Sequence, residues 1–176
     1  MHPEDRDLFD RFRAWKSRPK DFSPATESDP TPQVVYSDLM KGVFAPALRE
    51  AGLKGSGGRF ELPSEKCWAQ LGFQKSVHSD SSILRFTVNL SVIDRETWAR
   101  RPAVTSRPGT KPSPSIYYGA GAGQEQARIG ALMPAGEDFW WSLSRGHDPT
   151  SVAEEVVSAL IELAVPWLVA RTAAKP

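Results

Sequence analysis

Apolar and polar side chains alternate most regularly along residues 84–92. Five apolar residues there fall on one side of an extended chain: Leu84, Phe86, Val88, Leu90 and Val92. Successive side chains of a strand point to opposite faces of a sheet, so this pattern predicts a strand with one buried and one polar face. Further strands are predicted at residues 59–62, 67–76, 127–132 and 138–143.

A helical spacing of apolar residues precedes these strands. Tyr36, Met40, Phe44 and Leu48 lie four apart, which predicts a helix with one apolar stripe. Gly52 predicts the end of this helix, because helices commonly end at a glycine. Pro46 lies inside the pattern and predicts a kink or a break, because proline lacks the N–H of a helical hydrogen bond.

A second helix is predicted near the C-terminus. It begins with Asp148 as N-cap and Pro149 at the first position, or with Ser151 and Glu154 as a capping box. Pro166 predicts a bend. The apolar face comprises Val152, Val156, Ala159, Leu160, Leu163 and Trp167.

These elements predict an α+β fold. We expect an antiparallel sheet of about five strands, with an N-terminal and a C-terminal helix packed on its apolar face. Residues 1–32 combine a short amphipathic segment with a proline-rich linker and are interpreted as an arm, docked or mobile. Residues 33–172 form the predicted domain, and residues 173–176 a tail. The proline- and arginine-rich connection at residues 94–123 is of a length that is usually functional or disordered.

Composition narrows the possible partners. Lys and Arg number 22 against 21 Asp and Glu, so no global field attracts nucleic acid or an anionic membrane. The basic stretch Arg100, Arg101, Arg107 and Lys111 lacks aromatic interleaving, which argues against nucleic acid. No stretch is typical of a signal peptide or a membrane span, so a cytoplasmic location is expected.

The usual catalytic and cofactor patterns have simpler interpretations here. Gly119, Gly121 and Gly123 precede a predicted strand rather than the helix of a dinucleotide fingerprint, which favours a loop. His78 lies in a turn-like run, and Cys67 falls on the apolar side of a strand. No cofactor, metal site or catalytic residue is predicted, and an enzyme built from scattered residues stays open.

Longer blocks of sequence resemble a family, the bacterial domain of unknown function numbered 4304. The resemblance spans about Leu39 to Leu168 and is carried by "GRFELP", "LGFQKS", "RFTVNLSV", "ARIGALMPAGEDFWWSL" and "AVPWL". It implies a small α+β domain with a helix at each end of an antiparallel sheet. It implies no established activity, cofactor or catalytic residue.

The polar side of the predicted sheet is the candidate binding site. Its outward positions are expected to share the solvent side. They are Gln70, Gln74, Arg85, Thr87, Asn89, Arg128 and Trp140. Two guanidinium groups, amides and an indole suit recognition of a carboxylate, a phosphate or an acidic peptide, whereas the ordinary alternative is a solvated face.

Trp140 and Trp141 are adjacent, so their side chains should point to opposite faces of the sheet. The outward indole is then either a partner anchor or covered by the long loop or the arm. The first functional hypothesis is a non-enzymatic module that binds a protein or peptide partner through the polar face, the long loop and the arm, with an accessory or immunity-type role. The alternative is an enzyme or small anionic-ligand binder that uses the same face, with Arg85 and Arg128 orienting the anion.

Overall fold

The computed structural model of the chain describes residues 25–101, 110–134 and 136–174. Most of the predicted arm and part of the long connection lie outside the described residues. The domain boundary predicted near residue 33 therefore stays a prediction.

The first helical region has three parts. Helix α1 (Pro32–Leu39) continues through a π-helical turn, Met40–Phe44, into α2 (Ala45–Glu50). The Thr31 side chain accepts a hydrogen bond from the Val34 N–H and caps α1.

The irregularity predicted at Pro46 is present as the π-helical turn just before this proline. In a regular helix the Pro46 ring would clash with the Gly42 carbonyl. The Ala45 N–H instead bonds to the Met40 carbonyl five residues earlier, which moves the preceding turn away from the ring. The region then ends at Gly52, which has a φ of +90° as helix-terminating glycines commonly do.

Six strands form one antiparallel sheet in the described residues. They are β1 (Lys54–Ser56), β2 (Arg59–Leu62), β3 (Cys67–Lys75), β4 (Ile83–Asp94), β5 (Gln124–Arg128) and β6 (Trp141–Ser144). β4 is the central strand: β3 pairs with it on one side, while β5 and β6 pair with successive parts of its other side. A short helix, α3 (Arg95–Ala99), follows β4 directly.

The C-terminal region repeats the architecture of the first one. α4 (Thr150–Ala159) passes through the π-helical turn Leu160–Ala164 into α5 (Val165–Ala173), and Pro166 follows this turn as Pro46 follows the other. Pro149 is the N-cap, so the helix begins one residue later than the predicted start with Asp148 as N-cap, although the Thr150 N–H still donates to Asp148 Oδ1 at 3.0 Å.

Both helical regions pack on the apolar face of the sheet. Tyr36 meets Phe86 edge-on, with ring centroids 5.1 Å apart, and Phe44 stacks on Phe73 at 5.6 Å. From β6, Trp141 stacks on Phe86 at 5.7 Å. Burial also raises the pKa of the Tyr36 hydroxyl. The predicted α+β fold, with two terminal helical regions on one face of an antiparallel sheet, is confirmed.

Several predicted boundaries were wrong. The strand predicted at residues 127–132 is β5 followed by a 3₁₀ turn, Ile129–Leu132, and the strand predicted at residues 138–143 begins only at Trp141. The chain turns tightly here, since a Cβ atom at Gly130 would overlap the Glu137 carbonyl. β1 and α3 were not predicted at all.

Candidate functional site

The centre of the polar face of the sheet is buried rather than open to solvent. Gln70, Thr87 and Asn89, expected on the solvent side, are 8%, 0% and 6% exposed. The alternation along the strands was correct, but the expected solvent exposure was wrong for these three residues. Arg85 is exposed, while Gln74, Arg128 and Trp140 are half-buried. Residues 110–118, here called the covering loop, lie across the part of this face around Gly72 and Gln126.

Direct packing and hydrogen bonds hold the covering loop on the sheet. Pro114 is buried above Gly72, where a Cβ atom would lie only 2.6 Å from Pro114 Cγ. Trp98 Nε1 donates to the Thr110 carbonyl at 2.6 Å. Lys111 forms an ion pair with Glu61 at 2.9 Å. The loop therefore needs a residue without a side chain at position 72.

Gln126 of β5 fixes the other end of the covering loop. Its Oε1 accepts from the Tyr118 N–H at 2.9 Å, and its Nε2 donates to the Ile116 carbonyl at 2.7 Å. The Tyr118 hydroxyl accepts from the Ser113 N–H at 2.9 Å, and the Tyr118 ring packs edge-on against Trp98. One amide side chain thus satisfies backbone groups on both sides of Tyr117.

This attachment leaves two large hydrophobic side chains pointing outward. Ile116 is 52% exposed and Tyr117 is 75% exposed, although their backbone is held by Gln126. Exposed aromatic side chains on a loop with fixed backbone are a common feature of binding surfaces.

Beside the covering loop, five side chains form what we call the polar network. Asn89 Nδ2 donates to Gln74 Oε1 at 2.7 Å, and Arg128 Nε donates to Asn89 Oδ1 at 3.3 Å. Arg128 also pairs with Asp138 at 2.7 Å, and Trp140 Nε1 donates to the other oxygen of Asp138 at 2.9 Å. The Arg128 guanidinium lies 5.2 Å from the centroid of the Trp140 ring.

Asp138 sets the electrostatics of the polar network. Hydrogen bonds from Arg128 and then Trp140 hold the pKa of the Asp138 carboxyl below its usual range. The positive charge of Arg128 is therefore already balanced by a neighbour. Any external carboxylate or phosphate would have to compete with Asp138 for the guanidinium.

The structure brings together only some of the predicted site residues. Gln74, Asn89, Arg128 and Trp140 all belong to the polar network. Arg85 is exposed on β4, four residues from Asn89, which places its backbone about 14 Å away along the strand. Among the described residues Arg85 forms no ion pair.

Gln70 belongs to a different feature, a cleft of about 870 Å³ between β2 and the start of the covering loop. Its floor includes the polar face of β2 and β3, and its opposite wall is Pro112, Ser113 and Pro114. Four cationic and two acidic residues line it: Lys54, Arg59, Arg95, Lys111, Glu61 and Glu65.

The basic stretch of the long connection has internal partners. Arg100 pairs with Glu96 within α3 at 2.9 Å. The Arg101 guanidinium lies over the rings of Trp98 and Tyr118 at 5.5 and 5.0 Å. Arg107 lies outside the described residues.

Cys67 and His78, which were weighed for catalysis or metal binding, lie in the core and in a turn. Cys67 is buried, with its Sγ 3.3 Å from Ser64 Oγ. His78 lies in the turn after β3, where Asp80 Oδ1 accepts from the Ser82 and Ile83 N–H groups, which lowers the pKa of Asp80. In residues 25–101, 110–134 and 136–174, no group of three His, Cys, Asp or Glu side chains is arranged to hold a metal ion.

Sequence reasoning missed Asp138, Ile116 and Tyr117. Asp138 could have been found from its position two residues before Trp140 in the specific "GEDFWW" run. Nothing in the sequence distinguished the exposed Tyr117 from the packed Tyr118 beside it.

Comparison with known proteins identifies the family. Residues 44–170 match the family described as "Domain of unknown function (DUF4304)", and the chain belongs to it. No curated protein matches the chain, and no solved structure does either. Among the helices of the described residues, none has both the length and the apolar character needed to cross a bilayer.

Proposed function

We propose that the chain is an interaction domain that binds a protein or peptide through one surface, here called the loop surface. It comprises Ile116, Tyr117, Arg128, Asp138 and Trp140. The observation that carries the proposal is the outward position of Ile116 and Tyr117 on backbone held by hydrogen bonds to Gln126.

The fixed backbone of Ile116 and Tyr117 favours binding for an energetic reason. Ordering a flexible loop on association costs free energy, and a loop already held in place avoids most of that cost. Tyrosine is enriched among the residues that dominate interface energies, since its large ring has few rotatable bonds. Burial of Tyr117 by a partner would therefore contribute affinity at a low entropic cost.

The polar part of the loop surface complements this apolar tip. Gln126, which holds the tip, and Arg128 lie on the same face of β5, about 7 Å apart along the strand. Arg128, Asp138 and Trp140 hold one another in fixed orientations. Beside the apolar tip they offer a partner hydrogen-bonding groups in defined directions. An apolar centre with a polar rim is the usual composition of a protein interface.

The alternative, a small-anion site formed by Arg85 and Arg128, has less support. Asp138 already neutralises Arg128, and the two arginines lie well apart along the sheet. The proposal keeps the cytosolic location and the accessory or immunity-type role expected from the sequence. A toxin gene beside this one would support that role, whereas a metabolic operon would favour a small ligand.

A comparative pull-down tests the proposal. The double variant Ile116→Ser, Tyr117→Ser removes the apolar tip, and Val77→Ser, at a 92% exposed residue in the turn after β3, is the matched control. A partner from lysate of the source cells should bind the wild type and Val77→Ser and be lost with the double variant. Capture of the same proteins by both variants, with both folded by circular dichroism, would contradict the proposal.

A further inference from the structure

β6 is an edge strand whose outer main-chain groups have no partner in the described part of the chain. The Arg145 N–H donates to the Ser82 carbonyl at 2.9 Å, and bonded pairs alternate along an antiparallel ladder. Leu143 therefore bonds inward to β4, whereas the N–H and C=O of Ser142 point away from the sheet. Ser142 is exposed, and none of the described residues bonds to its main chain.

The other edges of the sheet are better protected against pairing with a further strand. β1 is three residues long and carries Lys54 and a glycine, both of which discourage pairing. Beside β5, residues 116–119 are held by the side chains of Gln124 and Gln126. β6 has neither charge nor proline along its sequence, so its edge is open to strand addition.

A groove lies along the edge of β6 where α4 begins, and we call it the edge groove. Leu143, Pro149 and Val152 supply its apolar walls, and His147 and Asp148 its polar ones. Its volume of about 210 Å³ is below the roughly 300 Å³ at which small-molecule pockets begin, so it suits a single side chain. A strand added to β6 would place the side chain beside Leu143 in this groove, because alternate side chains share a face.

On the polar side of the same edge lies an unpaired cation. Arg85 is directly across from Ser142 in the register of β4 and β6, and it is exposed without an ion pair among the described residues. Since Ser142 is short, the guanidinium can extend over it to the next strand position, about 10 Å away at two strand spacings. Asp138 and Asp148, before and after β6 in the chain, are already hydrogen-bonded within the fold. An acidic side chain at the added position would therefore complement Arg85.

We infer that the free edge of β6 binds an extended acidic peptide, which adds to the sheet as an antiparallel strand. The acidic residue pairs through its main chain with Ser142 and meets Arg85 with its carboxylate, and the apolar residue before it fills the edge groove. In this kind of recognition the main-chain hydrogen bonds give affinity and the alternate side chains give specificity. The site shares no residue with the loop surface, so it goes beyond the proposed function.

Selection of random heptapeptides displayed on phage, with the full chain as bait, supplies the probe. The selected sequences should share an apolar residue followed by an acidic one. One such peptide is then titrated by fluorescence anisotropy beside two N-methylated copies. A methyl group on the nitrogen of the acidic residue removes its hydrogen bond to the Ser142 carbonyl and should weaken binding by about tenfold or more. A methyl group on the next nitrogen, which points away from β6, should change little. Selection without this pattern, or equal effects of the two methyl groups, would overturn the inference.

Matched variants of the protein test the same contacts from the other side. Ser142→Pro removes the outward N–H at a position where an edge strand tolerates proline, and it should abolish binding, whereas Ser142→Ala should bind as the wild type does. Arg85→Gln should weaken binding about two- to fivefold and remove the preference for the acidic peptide over its amide version. Binding by folded Ser142→Pro, or a retained preference in Arg85→Gln, would contradict the assignment. If Ser142→Pro does not fold, the two methylated peptides still decide the question.

Two controls exclude other occupants and other surfaces. The double variant Ile116→Ser, Tyr117→Ser should bind the selected peptide as the wild type does, so failure of this inference and failure of the proposed function are distinguishable. Sedimentation of the wild type alone should show a monomer. A dimer that Ser142→Pro dissociates would assign the edge to a second copy of the chain and overturn the inference.

Discussion

Gly72 is the position at which the covering loop can be tested with a single methyl group. A Cβ atom there would lie 2.6 Å from Pro114 Cγ, roughly 1 Å short of an ordinary carbon–carbon contact of about 3.5–4.0 Å. The backbone of β3 is paired on both sides, so the loop is the part that must move. Gly72→Ala should therefore displace Pro114 from the polar face.

The loss of stability expected for Gly72→Ala follows from this overlap. Overpacking of a well-packed site by a methyl group costs about 1–3 kcal/mol. In a chain of this size that corresponds to a fall in melting temperature of about 2–12 °C. Urea unfolding followed by tryptophan fluorescence measures the change, and Trp98, bonded to the loop at Thr110, reports its displacement.

A double-mutant cycle separates this clash from other effects of the alanine. Pro114→Ala removes Cγ, after which the nearest loop atoms, Pro114 Cβ and Ser115 Oγ, lie 3.4 Å from the new methyl group. Gly72→Ala should then cost almost nothing in the Pro114→Ala background, which gives a coupling of about 1–3 kcal/mol. Additive effects of the two substitutions would refute the reasoning.

Three further predictions concern the core, the polar network and the first helical region. Phe86→Ala should cost about 3–5 kcal/mol in urea unfolding, because Phe86 contacts Tyr36 and Trp141; a loss under 1 kcal/mol would contradict its central position. The stabilisation from Asp138, whose pKa is lowered, is present above the unfolded pKa of about 4 and fades as the pH falls through the lowered value. Asp138→Asn should therefore destabilise the protein at neutral pH and not in strong acid, as thermal melts against pH would show; an equal loss at both would contradict it. Gly52→Ala should cost about 1–2 kcal/mol by thermal unfolding, since φ at this position is +90° although the space around it is open; unchanged stability would refute this.

The fold was largely predictable because its strongest signals are local. The alternation along β4 and the four-residue spacing from Tyr36 to Leu48 each report which side of one element joins the apolar core. Pro46 and Pro166 also marked the irregular turns correctly, since a missing N–H acts within its own helix.

The candidate site was less predictable because it depends on contacts between distant segments. Polar residues such as Thr87 and Asn89 alternate along a strand in the same way whether water or other parts of the protein cover them. The covering loop begins 16 residues along the chain from the end of β4, and only Gly72 marks where it packs. A glycine inside a strand pattern, as at Gly72, is itself a sequence signal that another segment approaches the strand closely.

Nuclear Overhauser contacts between the Gly72 α-protons and the Pro114 side-chain protons test most directly whether the covering loop closes the polar face. These atoms lie in van der Waals contact, so a strong cross-peak is expected, together with slow exchange of the buried Asn89 side-chain amide. Absence of the cross-peak, with Thr87 and Asn89 freely accessible to solvent, would contradict the closed polar face and the outward presentation of Ile116 and Tyr117.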